Sequence, residues 1–240
     1  PDANTQQGTH ESVFCARPTE HPYQVSNWSE MKDYYDPNDV IRAAAMMVSV
    51  SDQFKGNNNF EYDLVDIVRQ AIAEKGRLTE KVVEAAFAAG DKKLYKDASD
   101  RFLRLILLQD ELLATRPEFK VGTWIARARS LGNTSEEKDL YEWNARVQIT
   151  TWGNRLAADE GGLRDYAHRE WNGILKDFYY MRWKTWFDYQ TRLLDGKKTA
   201  AIDFYAIEEP WTKQTNPYSN EPEGDCIPTV QRIFAEIFGK

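Results

Sequence analysis

The sequence is poor in the residues from which most enzyme sites are built. Its 240 residues include only two cysteines and three histidines. Cys15 and Cys226 stand at opposite ends of the chain, and His10, His21 and His168 are dispersed. Neither a C-x-x-C pair nor an H-E-x-x-H helix can be assembled from them, so no metal centre is expected. The two thiols could form one disulfide, and the redox compartment stays open. No Ser/His/Asp or Cys/His arrangement is supported by the spacing, and a G-x-x-x-x-G-K phosphate loop is missing. No cofactor is expected. A basic excess is lacking too: 31 Lys and Arg against 38 Asp and Glu leave a net charge of −7. That argues against a nucleic-acid partner. No apolar run approaches the ~18–20 residues a membrane span needs. With 13 Gly and 9 Pro the chain is neither collagen nor linker. The opening Pro1-Asp2-Ala3-Asn4 shows no Met, no basic stretch and no apolar core, so no targeting signal is expected there. A chain that starts in this way reads as processed, trimmed or cut from something larger.

What is present is a folded composition, 42% hydrophobic and 29% charged, of a size for one compact domain or a domain with a tail. Residues 1–36 form an irregular, aromatic-bearing lead-in with no sustained period. From Pro37 to the end the signal is helical. Asp36-Pro37 reads as an N-cap and first-turn pair opening a run that ends before the loop Gly56-Asn57-Asn58-Asn59. Phe60, Leu64, Ile67, Val68, Ala71 and Ile72 repeat on one helical face. Ala98, Phe102, Leu105, Gln109 and Leu112 do the same in a long helix from about Lys92 to Thr115, closed by Pro117. Thr134-x-x-Glu137 is a capping box opening another helix, with Gly153 near its close. Further helices are expected from about Asp165 to Leu194 and from about Asp225 to Phe238. The fold class is all-α, an irregular bundle of about eight helices. No self-similarity suggests a solenoid.

The chemistry-bearing residues are sparse. The neighbouring acids Asp110-Glu111, Glu136-Glu137, Asp159-Glu160 and Glu208-Glu209 could serve a glycosidic bond. Sequence neighbours on a helix do not face one another, and most are expected on solvated faces. His168, in Tyr166-Ala167-His168-Arg169-Glu170, is expected on a helix surface. Aromatics say more. Six of the eight tryptophans fall between Trp124 and Trp186. Most should pack helix on helix, although an aromatic face can also stack on a sugar ring. Trp152 is the exception, placed at a helix end before Gly153 and a polar loop, Asn154 to Gly162, where it could line a pocket. On the helix before it, Tyr141, Asn144 and Gln148 share one polar face, either a buried network or a binding surface.

These residues carry a resemblance. Tyr141-Glu-Trp-Asn144-Ala-Arg146-Val-Gln148-Ile-Thr150-Thr-Trp152-Gly153, then Leu163-Arg-Asp165-Tyr166-Ala167, Trp171-Asn-Gly173-Ile174 and Tyr179-Tyr180-Met-Arg182-Trp183 resemble the C-terminal region of α-N-acetylglucosaminidases, glycoside hydrolase family 89. Arg17-Pro18, Tyr62-Asp63-Leu64-Val65-Asp66, Arg69-Gln70-Ala71 and Gly122-Thr-Trp124-Ile125 match as well. The likeness runs from about Ser12 to the end.

The resemblance implies an all-α domain, 37–240, packed on a (β/α)₈ catalytic barrel absent from this chain, with residues 1–36 as the strap leaving it. It implies removal of terminal α-linked N-acetylglucosamine from glycans, heparan sulfate among them, and an extracytoplasmic location, lysosomal in animals. The two catalytic glutamates would lie on the barrel, so no catalytic residue is expected in this chain and the chain alone should be inactive. In an α-gluco sugar the 2-acetamido group is cis to the leaving oxygen and cannot attack from behind. A carboxylate nucleophile, and therefore retention, would follow. Trp152 is the first candidate for a wall of the sugar pocket, followed by Tyr141, Asn144 and Arg146. Arg146 could equally be a buried structural arginine pairing Glu142. The competing readings are a stand-alone carbohydrate-binding or interaction module without catalytic activity and, more remotely, a hydrolase using carboxylates of this bundle itself.

Overall fold

The computed structural model describes residues 12–19, 35–215 and 217–239. His10, His21 and most of the 1–36 lead-in lie outside them. Among the described residues the chain is all-α, with eight α-helices and no strand beyond one bridge between Lys120 and Asn172. No helix is long and apolar enough to cross a membrane.

Helix α1, Pro37–Val50, starts where Asp36 accepts from the Asn38 N–H and Pro37 fills the first turn. Helix α2, Asn58–Ala88, is capped by Asn57, and α3, Lys92–Ala114, by Asp91. Three residues join them, with Gly90 at φ +68°, so they run antiparallel as the longest packed pair. Their apolar stripes meet at Leu64, Val68, Ala71 and Ile72 on one side and Phe102, Leu105 and Leu112 on the other, all buried. Helices α1 and α8, Cys226–Phe238, cover one flank of the pair, and α6, Tyr180–Leu194, lies against α3. Helices α4, Val121–Arg129, and α5, Ser135–Gln148, form a second pair, and α7, Phe204–Thr212, bridges α5 to α6. The capping box of α5 is complete: Thr134 accepts from the Glu137 N–H and the Glu137 carboxylate accepts from the Thr134 N–H.

The described part of the lead-in is threaded into the core. Val13–Cys15 makes one 3₁₀ turn whose side chains are all buried. The Phe14 ring meets Phe102 edge-on at 5.2 Å and sits where a Cβ on Gly76 would be 2.5 Å away, which accounts for a glycine inside α2. Trp183 Nε1 donates to the Phe14 carbonyl at 3.1 Å. Cys15 and Cys226 are free and buried, so they do not form the disulfide considered above.

Two expectations are corrected. The helix expected from about Asp165 begins only at Gly173–Ile174, because Asp165 and His168 have φ of +58° and +47° and Gly173 one of +93°. Its N-terminus is set from a distance: Asp110 of α3 accepts from the Gly173 N–H at 2.6 Å and the Lys176 N–H at 3.2 Å. A π-helical turn, Leu175–Tyr179, then leads into α6. His168 therefore lies on an irregular segment rather than a helix surface, and burial, with Arg169 beside it, lowers its imidazole to about 4. Within the expected loop 154–162 the chain makes a second π-helical turn, Leu156–Glu160.

Candidate functional site

The unusual backbone gathers around the end of α5. The Trp152 N–H donates to the Val147 carbonyl at 2.8 Å, closing the helix with Trp152 itself at φ +62°. That left-handed position normally takes glycine, and a bulky residue there costs roughly 1 kcal/mol or more. The ring stays partly open to solvent: Trp152 is 38% exposed. It packs on Tyr166, 53% exposed, with centroids 5.3 Å apart and planes at 59°. Leu156 stands out on the π-helical turn that follows, 60% exposed.

Of the other sequence candidates, Asn144 and Gln148 are exposed on α5 and Tyr141 is half-buried. The three mark one flank of the helix, rising about 10 Å from Tyr141 to Gln148 toward the Trp152 end. Arg146 lies on the opposite side and is fully buried. Its guanidinium holds Glu142 at 2.7–2.8 Å and stacks over Trp211, 4.6 Å from the ring centroid, and Tyr218, at 5.2 Å. Arg146 is thus a buried structural residue, while Asn144 and Trp152 are exposed, the one on α5 and the other just past its end.

Asp165, next to Tyr166 in the chain, belongs to a charge network that sequence reasoning missed. Both Asp165 carboxylate oxygens accept from Arg182, each at 2.9 Å, and both residues are fully buried. Arg182 Nε lies 2.8 Å from the buried Glu208, and its Nη1 donates to the Cys15 carbonyl at 3.2 Å. Glu208 in turn accepts twice from Arg17, at 2.9 and 2.5 Å, and Arg17 reaches Asp159 at 2.6 Å. Burial pushes the Asp165 carboxyl up to about 6; the Arg182 guanidinium pulls it down and Glu208 adds to the rise. Burial works against charge on Arg182, but the two carboxylates outweigh it and hold the guanidinium above its usual range. Glu208 and Asp110 depart from the solvated faces expected for most of the neighbouring acids. Glu208 is instead buried against two arginines, and Asp110 is buried as a helix cap.

Each buried acid of this set is already committed to an arginine or a backbone cap. Among the described residues no group of three His, Cys, Asp or Glu could hold a metal ion. A cavity of about 710 Å³ lies elsewhere, between Pro18, Phe87, Trp186, Tyr189 and Phe204.

Fold and site together define an all-helical domain with an aromatic edge set by strained backbone over a buried ion network. Residues 1–236 match the family described as the alpha-N-acetylglucosaminidase (NAGLU) C-terminal domain, and the chain belongs to that family. It is 26% identical over 215 residues to the human alpha-N-acetylglucosaminidase, a match spanning 85% of this chain and 28% of that protein. It superimposes on the family 89 glycoside hydrolase from Clostridium perfringens in complex with PUGNAc with a TM-score of 0.91 at 36% identity. That match covers 97% of this chain and 27% of the other. A second structure of the Clostridium perfringens enzyme, in complex with its substrate GlcNAc-alpha-1,4-galactose, aligns with a TM-score of 0.90 at 36% identity, covering 96% of this chain and 27% of that one. The chain thus spans little more than a quarter of the length of these relatives.

Proposed function

We propose that this chain serves as the helical C-terminal domain of an exo-acting, retaining α-N-acetylglucosaminidase. In this reading it packs on a (β/α)₈ barrel that holds both catalytic glutamates, and it contributes a wall of the pocket for a terminal α-linked N-acetylglucosamine. Residues 1–36 are then the strap from that barrel and 37–240 the domain proper. The setting is extracytoplasmic, lysosomal in an animal, and the chain by itself is inactive. The observation that carries the proposal is Trp152, a half-exposed indole at a position that backbone energetics would give to glycine. An indole face stacks on the apolar C–H face of a pyranose. Tyr141 and Asn144, on the adjoining flank of α5, supply groups able to bond hydroxyl or acetamido oxygens. Arg146 acts from behind, keeping α5 in register with α7 and Tyr218.

The distribution of exposed apolar side chains favours packing on a further domain over the stand-alone module. Of the twelve exposed large hydrophobics among the described residues, six lie between Leu131 and Tyr166: Leu131, Leu140, Trp143, Trp152, Leu156 and Tyr166. A partner domain covering these side chains would account for their exposure.

The test is Trp152→Ala in the complete polypeptide, assayed on an aryl α-N-acetylglucosaminide. The expected result is a KM raised about tenfold, or ~1.4 kcal/mol of lost stacking, with the melting temperature kept. A melting temperature that collapses would make Trp152 a core residue and end the pocket assignment.

A further inference from the structure

We infer that the Asp165-Tyr166 pair, anchored by Arg182, sets the angle of the Trp152 ring, and that these are positioning residues for terminal-sugar binding. The inference rests on the pocket-wall reading of Trp152.

The geometry is a closed circuit. Thr150, two residues before Trp152, gives its carbonyl to the Asp165 N–H at 2.7 Å. That main-chain bond ties the end of α5 to the irregular segment. Asp165 is itself left-handed, at φ +58°, so its N–H and its carboxylate leave the chain in directions an ordinary helical or extended residue would not allow. The carboxylate is gripped by Arg182 in a two-bond fork, and Arg182 is fixed by Glu208 and by the Cys15 carbonyl. Tyr166, the next residue, is thereby aimed at Trp152 and meets its ring at 5.3 Å. The indole is thus held at its backbone through Thr150 and met at its ring by Tyr166, and both contacts run through the Asp165-Tyr166 pair, whose carboxylate one buried arginine grips.

A purely structural role would not need this arrangement. Glycine at 152 would close α5 without strain. A buried ion pair can often be replaced by apolar packing without loss of stability. What the fork adds is direction: a bidentate Arg–carboxylate contact fixes the orientation of Asp165 as well as its place. Orientation of that kind matters where a ring must meet a ligand at a set angle.

The experiment is a set of double-mutant cycles in the complete polypeptide, reading KM, kcat and melting temperature on an aryl α-N-acetylglucosaminide. The variants are Asp165→Asn, which keeps the side-chain shape, and Tyr166→Ala, which leaves the Asp165–Arg182 fork intact. Each is made alone and together with Trp152→Ala. Each single variant should raise KM about threefold to tenfold while kcat stays within about twofold, and neither should raise it further in the Trp152→Ala background. Increases that multiply in the double variants would overturn the inference, because the residues would then act independently of Trp152. So would singles that leave KM unchanged. If Asp165→Asn does not fold, Tyr166→Ala decides alone, since its side chain is exposed. A Trp152→Ala variant with unchanged KM is a separate outcome: it would bring down the pocket-wall reading itself.

Discussion

The α2–α3 pair and the stretch from Ile149 to Gly173 are built on opposite plans. In the pair, two long regular helices meet through aliphatic and aromatic stripes, and a side chain is held mainly by being apolar and of suitable volume. In the stretch, three residues other than glycine, Trp152, Asp165 and His168, have positive φ, and the backbone is held by individual bonds to named partners. The first plan yields stability that is spread over many contacts. The second concentrates it in a few, and what it gains is the direction of particular side chains. A domain that supports itself with the first and, in the proposed reading, would face a ligand with the second divides its labour along the sequence.

Removing the anchor of the second plan should have the largest effect. Arg182→Ala leaves Asp165 and Glu208 buried without their shared cation, and should cost about 3–5 kcal/mol of stability. Arg104→Ala, at the exposed pair with Glu236 on α8, should cost under about 1 kcal/mol. Thermal melts of the two side by side check this, and equal losses would erase the distinction between the regions. Next come two glycines with positive φ. A Cβ on Gly173 would stand 2.7 Å from Val121 Cγ1 and 2.9 Å from the Tyr218 ring, whereas one on Gly90, in the α2–α3 turn, meets nothing within 4 Å. Gly173→Ala should therefore lose about 1–3 kcal/mol, and Gly90→Ala no more than ~1 kcal/mol from backbone strain alone. Denaturant midpoints would separate them.

The smallest effect sharpens the comparison from the other side, at Glu80, a buried acid of α2 that breaks its apolar plan. Burial, with Glu84 adding to it, raises the Glu80 carboxyl to about 8. Its folded value then lies above its unfolded one, so between about pH 4.5 and 8 the folded chain holds a proton the unfolded chain has released. The contribution of this group to stability is largest at acid pH and is lost as pH rises through that window. Glu80→Gln should therefore stabilise by ~1 kcal/mol or more at pH 8 and by much less at pH 5. Melting curves at the two pH values test it, and a gain independent of pH would contradict the assignment.

The difference between the two regions also governs what could be read beforehand. Periodicity and caps were enough for α3, for the Asp36-Pro37 start of α1 and for the Thr134 box of α5, because those signals lie within a few residues of one another. The start of the helix leading into α6 was placed too early. Aromatic spacing continues through the region, and the residue that caps it, Asp110, comes from another helix. The fork of Arg182 on Asp165 spans 17 residues, and that of Arg17 on Glu208 spans 191. No local pattern announces bonds of that reach. The place of Trp152 at the end of α5 was legible because its signal is local: a tryptophan directly after a helical run and directly before a glycine. That Arg146 faces inward, and Asn144 outward, follows from their position on α5 relative to α7, which only the tertiary structure supplies.

The most direct measurement is a thermal melt and a KM determination on Trp152→Gly in the complete polypeptide. Glycine accepts the left-handed backbone without strain, so the account expects a melting temperature equal to or above that of the parent. KM for a terminal α-N-acetylglucosaminide should rise about tenfold. A melting temperature several degrees lower with KM unchanged would contradict the account, because the indole would then be serving the fold rather than a ligand.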